Sequence, residues 1–169
     1  MGSGPLHLVL MGISGSGKTV LAERLAARLG VPYAEADEFH PPANIAKMAS
    51  GTPLTDEDRW PWLESMRAWM DQESSAGGTV STCSALKRIY RDLLRGAAGR
   101  VVFLHVRAEP AVITERIQAR TDHFMPASLL PSQLATLELL AEDEDGWVLE
   151  NSGSVDELVE RALAVVAGL

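Results

Sequence analysis

The residues with the clearest chemistry lie near the N-terminus, in the stretch GISGSGKT at residues 12–19. This stretch fits the pattern G-x-x-x-x-G-K-[ST] and directly follows an apolar run, LHLVLM, that is typical of a buried strand. Its glycines allow a tight loop whose N–H groups point inward at phosphate oxygens, next to the positive end of a helix. We therefore predict a nucleoside triphosphate site formed by Gly12, Ser14, Gly15, Ser16, Gly17, Lys18 and Thr19.

Two side chains of this loop have specific expected roles. Lys18 is expected to reach the β- and γ-phosphates of ATP, and the Thr19 hydroxyl is expected to ligate Mg²⁺. The alternative is a glycine-rich turn without a ligand, and the full motif between a strand and a helix disfavours it.

Acidic residues follow the second predicted strand, where Glu35 and Asp37 are found. A carboxylate beside a phosphate loop can accept the proton of a substrate hydroxyl as its oxygen attacks the γ-phosphate. The third predicted strand ends in Thr82-Cys83-Ser84, without the Asp that is usual in switch and motor GTPases. These features favour a small-molecule kinase in which one of these two carboxylates is the base.

Further charged residues could bind an anionic acceptor. His40 could donate to a hydroxyl, and Lys47 and Arg59 could meet a carboxylate. Each also has a structural interpretation, because His40 could satisfy a backbone carbonyl and Arg59 could pair with a nearby acid. Lys87, Arg91 and Arg95 recur at a spacing of four, which predicts a basic stripe along one helix, either at a ligand cleft or in solvent. Arg95 is expected to lie on the surface.

Arg116 and Arg120 precede a polar, proline-broken stretch at residues 121–133. We predict that this stretch is a lid that closes over the phosphates and excludes water, with Arg120 as a phosphate contact.

Composition excludes several classes of protein. The formal net charge of −8 argues against a nucleic-acid surface. Strongly apolar stretches are too short to cross a bilayer, and no secretory signal is recognisable. A single cysteine, Cys83, excludes an intrachain disulfide and is consistent with the cytoplasm.

Hydrophobic periodicity predicts strands that alternate with helices over the 169 residues. The predicted strands are 6–11, 31–36, 79–83, 100–106 and 147–150, and the predicted helices are 17–29, 41–48, 56–73, 84–95, 109–120, 132–140 and 154–168. This order predicts one α/β domain over residues 1–169, with a five-stranded parallel sheet between two helical layers. Ligands of such folds bind at the carboxyl ends of the strands, where the residues above are found.

Several longer stretches resemble the gluconokinase family. They are the region from Asp37 to Leu63, CSALK at 83–87 with YRD at 90–92, and HF at 123–124 followed by residues 133–138. The resemblance covers the chain from the phosphate loop to about Glu138. It implies a P-loop fold similar to adenylate and shikimate kinases, often in a homodimer.

This resemblance also implies an activity, the phosphorylation of D-gluconate at its 6-hydroxyl by ATP with Mg²⁺. Asp37 matches the base, and Glu35, where relatives commonly have Asp, could hold a magnesium-bound water. Arg116 resembles an adenine-side arginine and Arg120 a lid arginine. The positions expected around gluconate are Asp37, His40, Lys47, Arg59, Lys87, Arg91, His123 and Gln133.

Two other functions remain open from the sequence. A kinase for another aldonate or acidic polyol would use the same cationic lining. A nucleotide-binding sensor without turnover is the third possibility, which the intact Lys18, Thr19, Asp37 and Arg120 disfavour.

Overall fold

The fold is a five-stranded parallel sheet between two layers of helices. A computed structural model describes residues 4–13, 15–109 and 130–169. Its sheet has the order β2-β3-β1-β4-β5, and every adjacent pair is parallel. The strands are β1 Leu6–Met11, β2 Tyr33–Glu35, β3 Gly78–Thr82, β4 Arg100–Arg107 and β5 Gly146–Glu150. All five strands were predicted from the sequence.

Six α-helices lie within the described residues. They are α1 Lys18–Leu29, α2 Pro42–Ala49, α3 Asp56–Gln72, α4 Arg88–Leu94, α5 Leu130–Thr136 and α6 Val155–Ala167. Two short 3₁₀ helices span Ala36–Phe39 and Ser74–Ala76. The predicted helix at 109–120 lies almost entirely outside the described residues.

Each face of the sheet carries its own apolar core. On one face, alternate side chains of β1 and β4 pack against α3 and α4 through Trp62, Met66, Met70 and Tyr90. On the other face, the intervening side chains pack against α1 and α6 through Leu21, Leu25 and Leu158. The Trp and Met residues of α3, whose helical spacing predicted a core position, therefore line the first core.

Helix boundaries follow local capping chemistry. Ser154 accepts a hydrogen bond from the N–H of Glu157, which confirms the capping box predicted at the start of α6. Thr55 and Asp58 form a second capping box at the start of α3, which was not predicted from the sequence.

The predicted helix from Ser84 is wrong at its N-terminal end, because α4 begins only at Arg88. Ala85 has a left-handed φ of 46°, which no α-helix accommodates, so residues 83–87 form an irregular loop before α4 starts. The predicted helix at 132–140 is shifted, since α5 ends at Thr136. Within the described part of the chain, no helix combines the length and apolar character needed to cross a bilayer.

Candidate active site

The phosphate loop joins β1 to α1 and depends on glycine. Gly12, Gly15 and Gly17 have φ values of 141°, 83° and 100°, a region that residues with a Cβ rarely adopt. A Cβ added to Gly12 would lie 2.7 Å from the carbonyl oxygen of Val106. The loop is therefore packed closely against the end of β4, and its conformation requires glycine at this point.

The loop fits a triphosphate. Lys18 donates from Nζ to the carbonyl oxygens of Gly12 and Ile13, at 2.8 and 3.0 Å, so its ammonium lies over the loop. The Oγ of Ser16 is buried and has no hydrogen-bond partner among the described residues. An orphaned hydroxyl and an ammonium at a helix N-terminus suit the phosphate chain of ATP. Thr19 follows in the first turn of α1, and Ser14 lies outside the described residues.

Asp37 lies in the 3₁₀ helix that directly follows β2. This turn is anchored by the indole N–H of Trp62, which donates to the carbonyl oxygen of Ala36 at 2.7 Å. Burial raises the pKa of the nearby Cys83 thiol to about 12, and the charge of Asp37 adds to the rise while those of Lys18 and Arg59 oppose it. Lys18, Asp37 and Arg59 are thus all close enough to Cys83, which directly follows β3, to influence the ionisation of its thiol.

Both carboxylate oxygens of Glu35 already accept hydrogen bonds. The Tyr33 hydroxyl donates to one oxygen, and the Thr82 hydroxyl donates to the other at 2.6 Å. Among the described residues, no three His, Cys, Asp or Glu side chains form a group that could hold a metal ion. Mg²⁺ bound by one protein hydroxyl together with phosphate oxygens needs no such group, so the roles of Thr19 as a ligand and of Glu35 as a partner of a magnesium-bound water stay predictions.

His40 is buried and neutral. Its ring stacks on Trp62 with 4.1 Å between centroids and an angle of 15°, and its Nδ1 lies 3.3 Å from Asn44 Nδ2. Burial lowers the pKa of His40 to about 4; the charge of Asp37 opposes this shift and that of Arg59 adds to it. At neutral pH the uncharged ring can therefore form a hydrogen bond with a hydroxyl, as donor or as acceptor.

Lys47, Arg59 and Lys87 form what we call the cation cluster. Lys47 donates to Asp58 at 2.6 Å, Lys87 donates to Asp56 at 3.1 Å, and Arg59 donates to the hydroxyl of Tyr90 at 2.6 Å. The Tyr90 hydroxyl in turn donates to Asp56, which connects Arg59 with Lys87.

The acids of the cluster come from the first turn of α3. Hydrogen bonds from Tyr90 and Lys87 lower the pKa of Asp56, and those from Lys47 and the Thr55 N–H lower the pKa of Asp58 to about 2. Both acids are ionised at neutral pH. They bind Lys47 and Lys87 directly and reach Arg59 through Tyr90. The side chains of Lys47 and Lys87 remain about one third exposed.

The structure places Arg91 away from this cluster. Its side chain is fully buried and forms an ion pair with Glu144, whose side chain is also fully buried. The predicted contact of Arg91 with the acceptor therefore does not fit this structure, because the guanidinium is turned into the interior. Arg95, predicted on the surface, also contacts Glu144 at 2.9 Å and is 21% exposed.

The remaining predicted positions lie in α5 or outside the described residues. Arg116, Arg120, His123 and the lid residues 121–129 lie outside the described residues. Gln133 lies within α5, where its carbonyl oxygen accepts a hydrogen bond from the N–H of Leu137.

Two residues at the site were missed from the sequence. Asn151, directly after β5, donates from its side chain to the carbonyl oxygen of Ser16 at 2.8 Å and so connects the phosphate loop to the end of β5. Tyr90 connects the cation cluster. The position of Asn151 at a strand's carboxyl end was a usable signal, whereas Tyr90 looked like one more apolar residue of its helix.

Both the sequence and the structure of this chain are similar to those of known proteins. A family model described as an AAA domain matches residues 8–140. A protein named gluconokinase from Gluconobacter oxydans (strain 621H) is 53% identical over 145 residues, which are 85% of this chain and 82% of that protein.

Two solved structures are similar over nearly their whole length. A sugar kinase from Janibacter sp. HTCC2649 superposes with a TM-score of 0.89 at 53% identity, covering 96% of this chain and 95% of that one. A gluconokinase from Sinorhizobium meliloti 1021 superposes with a TM-score of 0.82 at 42% identity, covering 96% and 92%. Identity and coverage of this extent show that the chain belongs to the gluconokinase family.

Proposed function

We propose that the protein transfers the γ-phosphoryl group of ATP to the 6-hydroxyl of D-gluconate, giving 6-phospho-D-gluconate and ADP. The observation that carries the proposal is the convergence of a triphosphate loop and a cation cluster on one edge of the sheet, in a chain 53% identical to a gluconokinase. A sugar acid offers a carboxylate to the cations and several hydroxyls to the neutral polar groups.

The phosphate loop binds the nucleotide and restrains its transferable end. Its N–H groups and Lys18 balance the charge that spreads over the phosphoryl oxygens during transfer. Mg²⁺, when bound with ATP, would neutralise phosphate charge, with Thr19 as its protein ligand. Arg120 is proposed to add a further positive charge.

The acceptor side orients the hydroxyl. Asp37 accepts the hydroxyl proton as the oxygen attacks, while the cation cluster holds the carboxylate at the far end of the acceptor. His40, being neutral, is suited to hydrogen-bond a hydroxyl of the sugar chain without competing for the carboxylate. His123 and Gln133 are proposed as further contacts to the acceptor.

A substrate panel tests this assignment. ADP release should be measured with gluconate, other aldonates, shikimate, glycerate and nucleoside monophosphates. We expect gluconate to be preferred over each non-aldonate by at least about 100-fold in kcat/KM, because buried polar groups that lose their partners penalise the wrong acceptor. A preference for another compound would overturn the assignment to gluconate.

We also propose that the protein acts as a homodimer in the cytoplasm, as the family resemblance suggests. Light scattering at working concentration tests the first part, with twice the chain mass of 18.2 kDa as the expected result.

A further inference from the structure

The guanidinium of Arg91 is fully buried, and its hydrogen bonds are made to other groups of the protein. Its Nε and Nη2 donate to the two carboxylate oxygens of Glu144, at 2.7 and 2.9 Å. The remaining donors reach backbone carbonyl oxygens, those of Ala85 at 2.8 Å, Glu138 at 3.1 Å and Leu139 at 3.4 Å. All five N–H donors of the side chain thus have partners, and none is left for a substrate.

The first of these carbonyls belongs to what we call the acceptor loop, residues 83–87 between β3 and α4. On one side this loop meets the phosphate loop, because the N–H of Gly12 donates to the carbonyl oxygen of Ser84 at 3.2 Å. At its other end it carries Lys87 of the cation cluster. Between them, Ala85 has a φ of 46°, an unfavourable conformation that neighbouring contacts must maintain.

The other carbonyls belong to what we call the rear segment, residues 137–145. This segment binds the acceptor loop directly, since the N–H of Glu138 donates to the carbonyl oxygen of Leu86 at 2.6 Å. The carboxylate of Glu138 accepts from the N–H of Arg88, on the other side of Lys87. Arg91 therefore forms hydrogen bonds with both the acceptor loop and the rear segment. Near these bonds, Glu138 binds the backbone of Leu86 and of Arg88, the two neighbours of Lys87.

The charge of Glu144 is secured by its surroundings. Burial alone would raise the pKa of Glu144, but hydrogen bonds from Arg91, the Ala141 N–H and Arg95 outweigh burial and hold it at about 2. Glu144 is thus ionised throughout the physiological range, and removal of Arg91 takes away a partner that binds both of its carboxylate oxygens.

We propose that Arg91 is a positioning residue for the kinase reaction, which acts through the acceptor loop to place Lys87 against the acceptor and never touches the substrate itself. Lysine cannot take over this role, because one ammonium cannot bridge a carboxylate and carbonyls on two segments. The inference rests on the proposed function, so gluconate phosphorylation by the unmodified protein is established first.

The test separates positioning from folding by pairing single and double variants. Arg91→Lys and Glu144→Gln each break the bridge, whereas Arg91→Met with Glu144→Met removes both buried charges together, so that neither is left in the interior without the other. Arg88→Met is the matched control, since it removes an exposed pair with Asp143 from the same helix and segment. Each variant is assayed for KM of gluconate, KM of ATP and thermal unfolding.

We expect the KM of gluconate to rise by at least about 10-fold in Arg91→Lys, Glu144→Gln and the double variant, with the KM of ATP changed less than about threefold. The double variant should keep this defect even when its melting temperature is close to that of the unmodified protein. Arg88→Met should change neither KM. A stable double variant with an unchanged KM of gluconate would overturn the proposal, as would recovery by lysine, which would indicate a direct contact with the acceptor carboxylate. A protein that does not phosphorylate gluconate at all would instead overturn the proposed function.

Discussion

At the scale of single residues, Asp37 is the group on which the proposed chemistry depends. It lies in the 3₁₀ helix that directly follows β2. Its charge acts to raise the pKa of both His40 and Cys83. A base for phosphoryl transfer must meet the acceptor hydroxyl next to the phosphate chain. Asp37 lies at the carboxyl edge of the sheet, after β2, which pairs with the strand that precedes the acceptor loop. This position is consistent with the proposed role.

Asp37→Asn should lower kcat by at least about 100-fold, because the amide cannot accept the hydroxyl proton. The Kd of ATP, measured by calorimetry, should stay within about twofold, since the phosphate loop is unaltered. Glu38→Gln is the matched control, one residue further along the same turn and exposed. A variant with near-normal turnover would show that Asp37 is not the base.

Residues differed in how far the sequence could predict them. The phosphate loop was predictable because its function is encoded in eight contiguous residues. Arg91 was misplaced because a spacing of four identifies a helix face without showing what that face meets. Its partner Glu144 is 53 positions away, in a segment with no recognisable pattern.

At the scale of elements, the first turn of α3 organises the cation cluster. The capping box of Thr55 and Asp58 fixes this turn, and Asp56 and Asp58 hold Lys87 and Lys47. The helix start thus serves both stability and the geometry of the cation cluster.

Thr55→Ala should lower the free energy of unfolding by about 1 kcal/mol, the usual effect of losing an N-cap. It should also raise the KM of gluconate by about threefold, because the acids that hold the lysines lose their fixed turn. Urea unfolding and steady-state kinetics measure the two effects.

Ser154→Ala is the matched control, since it removes the equivalent capping box of α6, which contributes none of the site residues described above. It should lower stability by a similar amount with both KM values unchanged. Equal effects of the two variants on the KM of gluconate would contradict the role given to α3.

The elements themselves were mostly predictable, since apolar periodicity identified all five strands and the main helices. Their exceptions have local causes. The left-handed Ala85 delays α4 until Arg88, and no composition rule predicts a positive φ for alanine.

At the scale of the whole molecule, buried histidines link stability to pH. Burial lowers the pKa of His40 and of His105 to about 4, and that of His7 is also lowered, with burial as the largest cause. In the unfolded chain each histidine titrates near pH 6.5. Between these values the unfolded state binds more protons, so acid favours unfolding.

The contribution of these histidines to the free energy of unfolding should be complete above pH 6.5. The free energy of unfolding should then fall as the pH decreases from 6.5 towards 4. The slope reaches about 1.4 kcal/mol per pH unit for each histidine that is neutral only in the folded state. Urea titrations at pH 7.5, 6 and 5 measure this fall, and His105→Leu should reduce the slope. Constant stability over this range would contradict the buried, neutral state of these rings.

The central claim is that a triphosphate loop and a cation cluster serve one reaction, with Asp37 between them. A crystal structure with gluconate and a non-hydrolysable ATP analogue tests it most directly. The account predicts the γ-phosphate on Lys18, the gluconate carboxylate at Lys47, Arg59 or Lys87, and the 6-hydroxyl within hydrogen-bond distance of Asp37. Gluconate bound elsewhere, or an acceptor oxygen far from the Asp37 carboxylate, would contradict it.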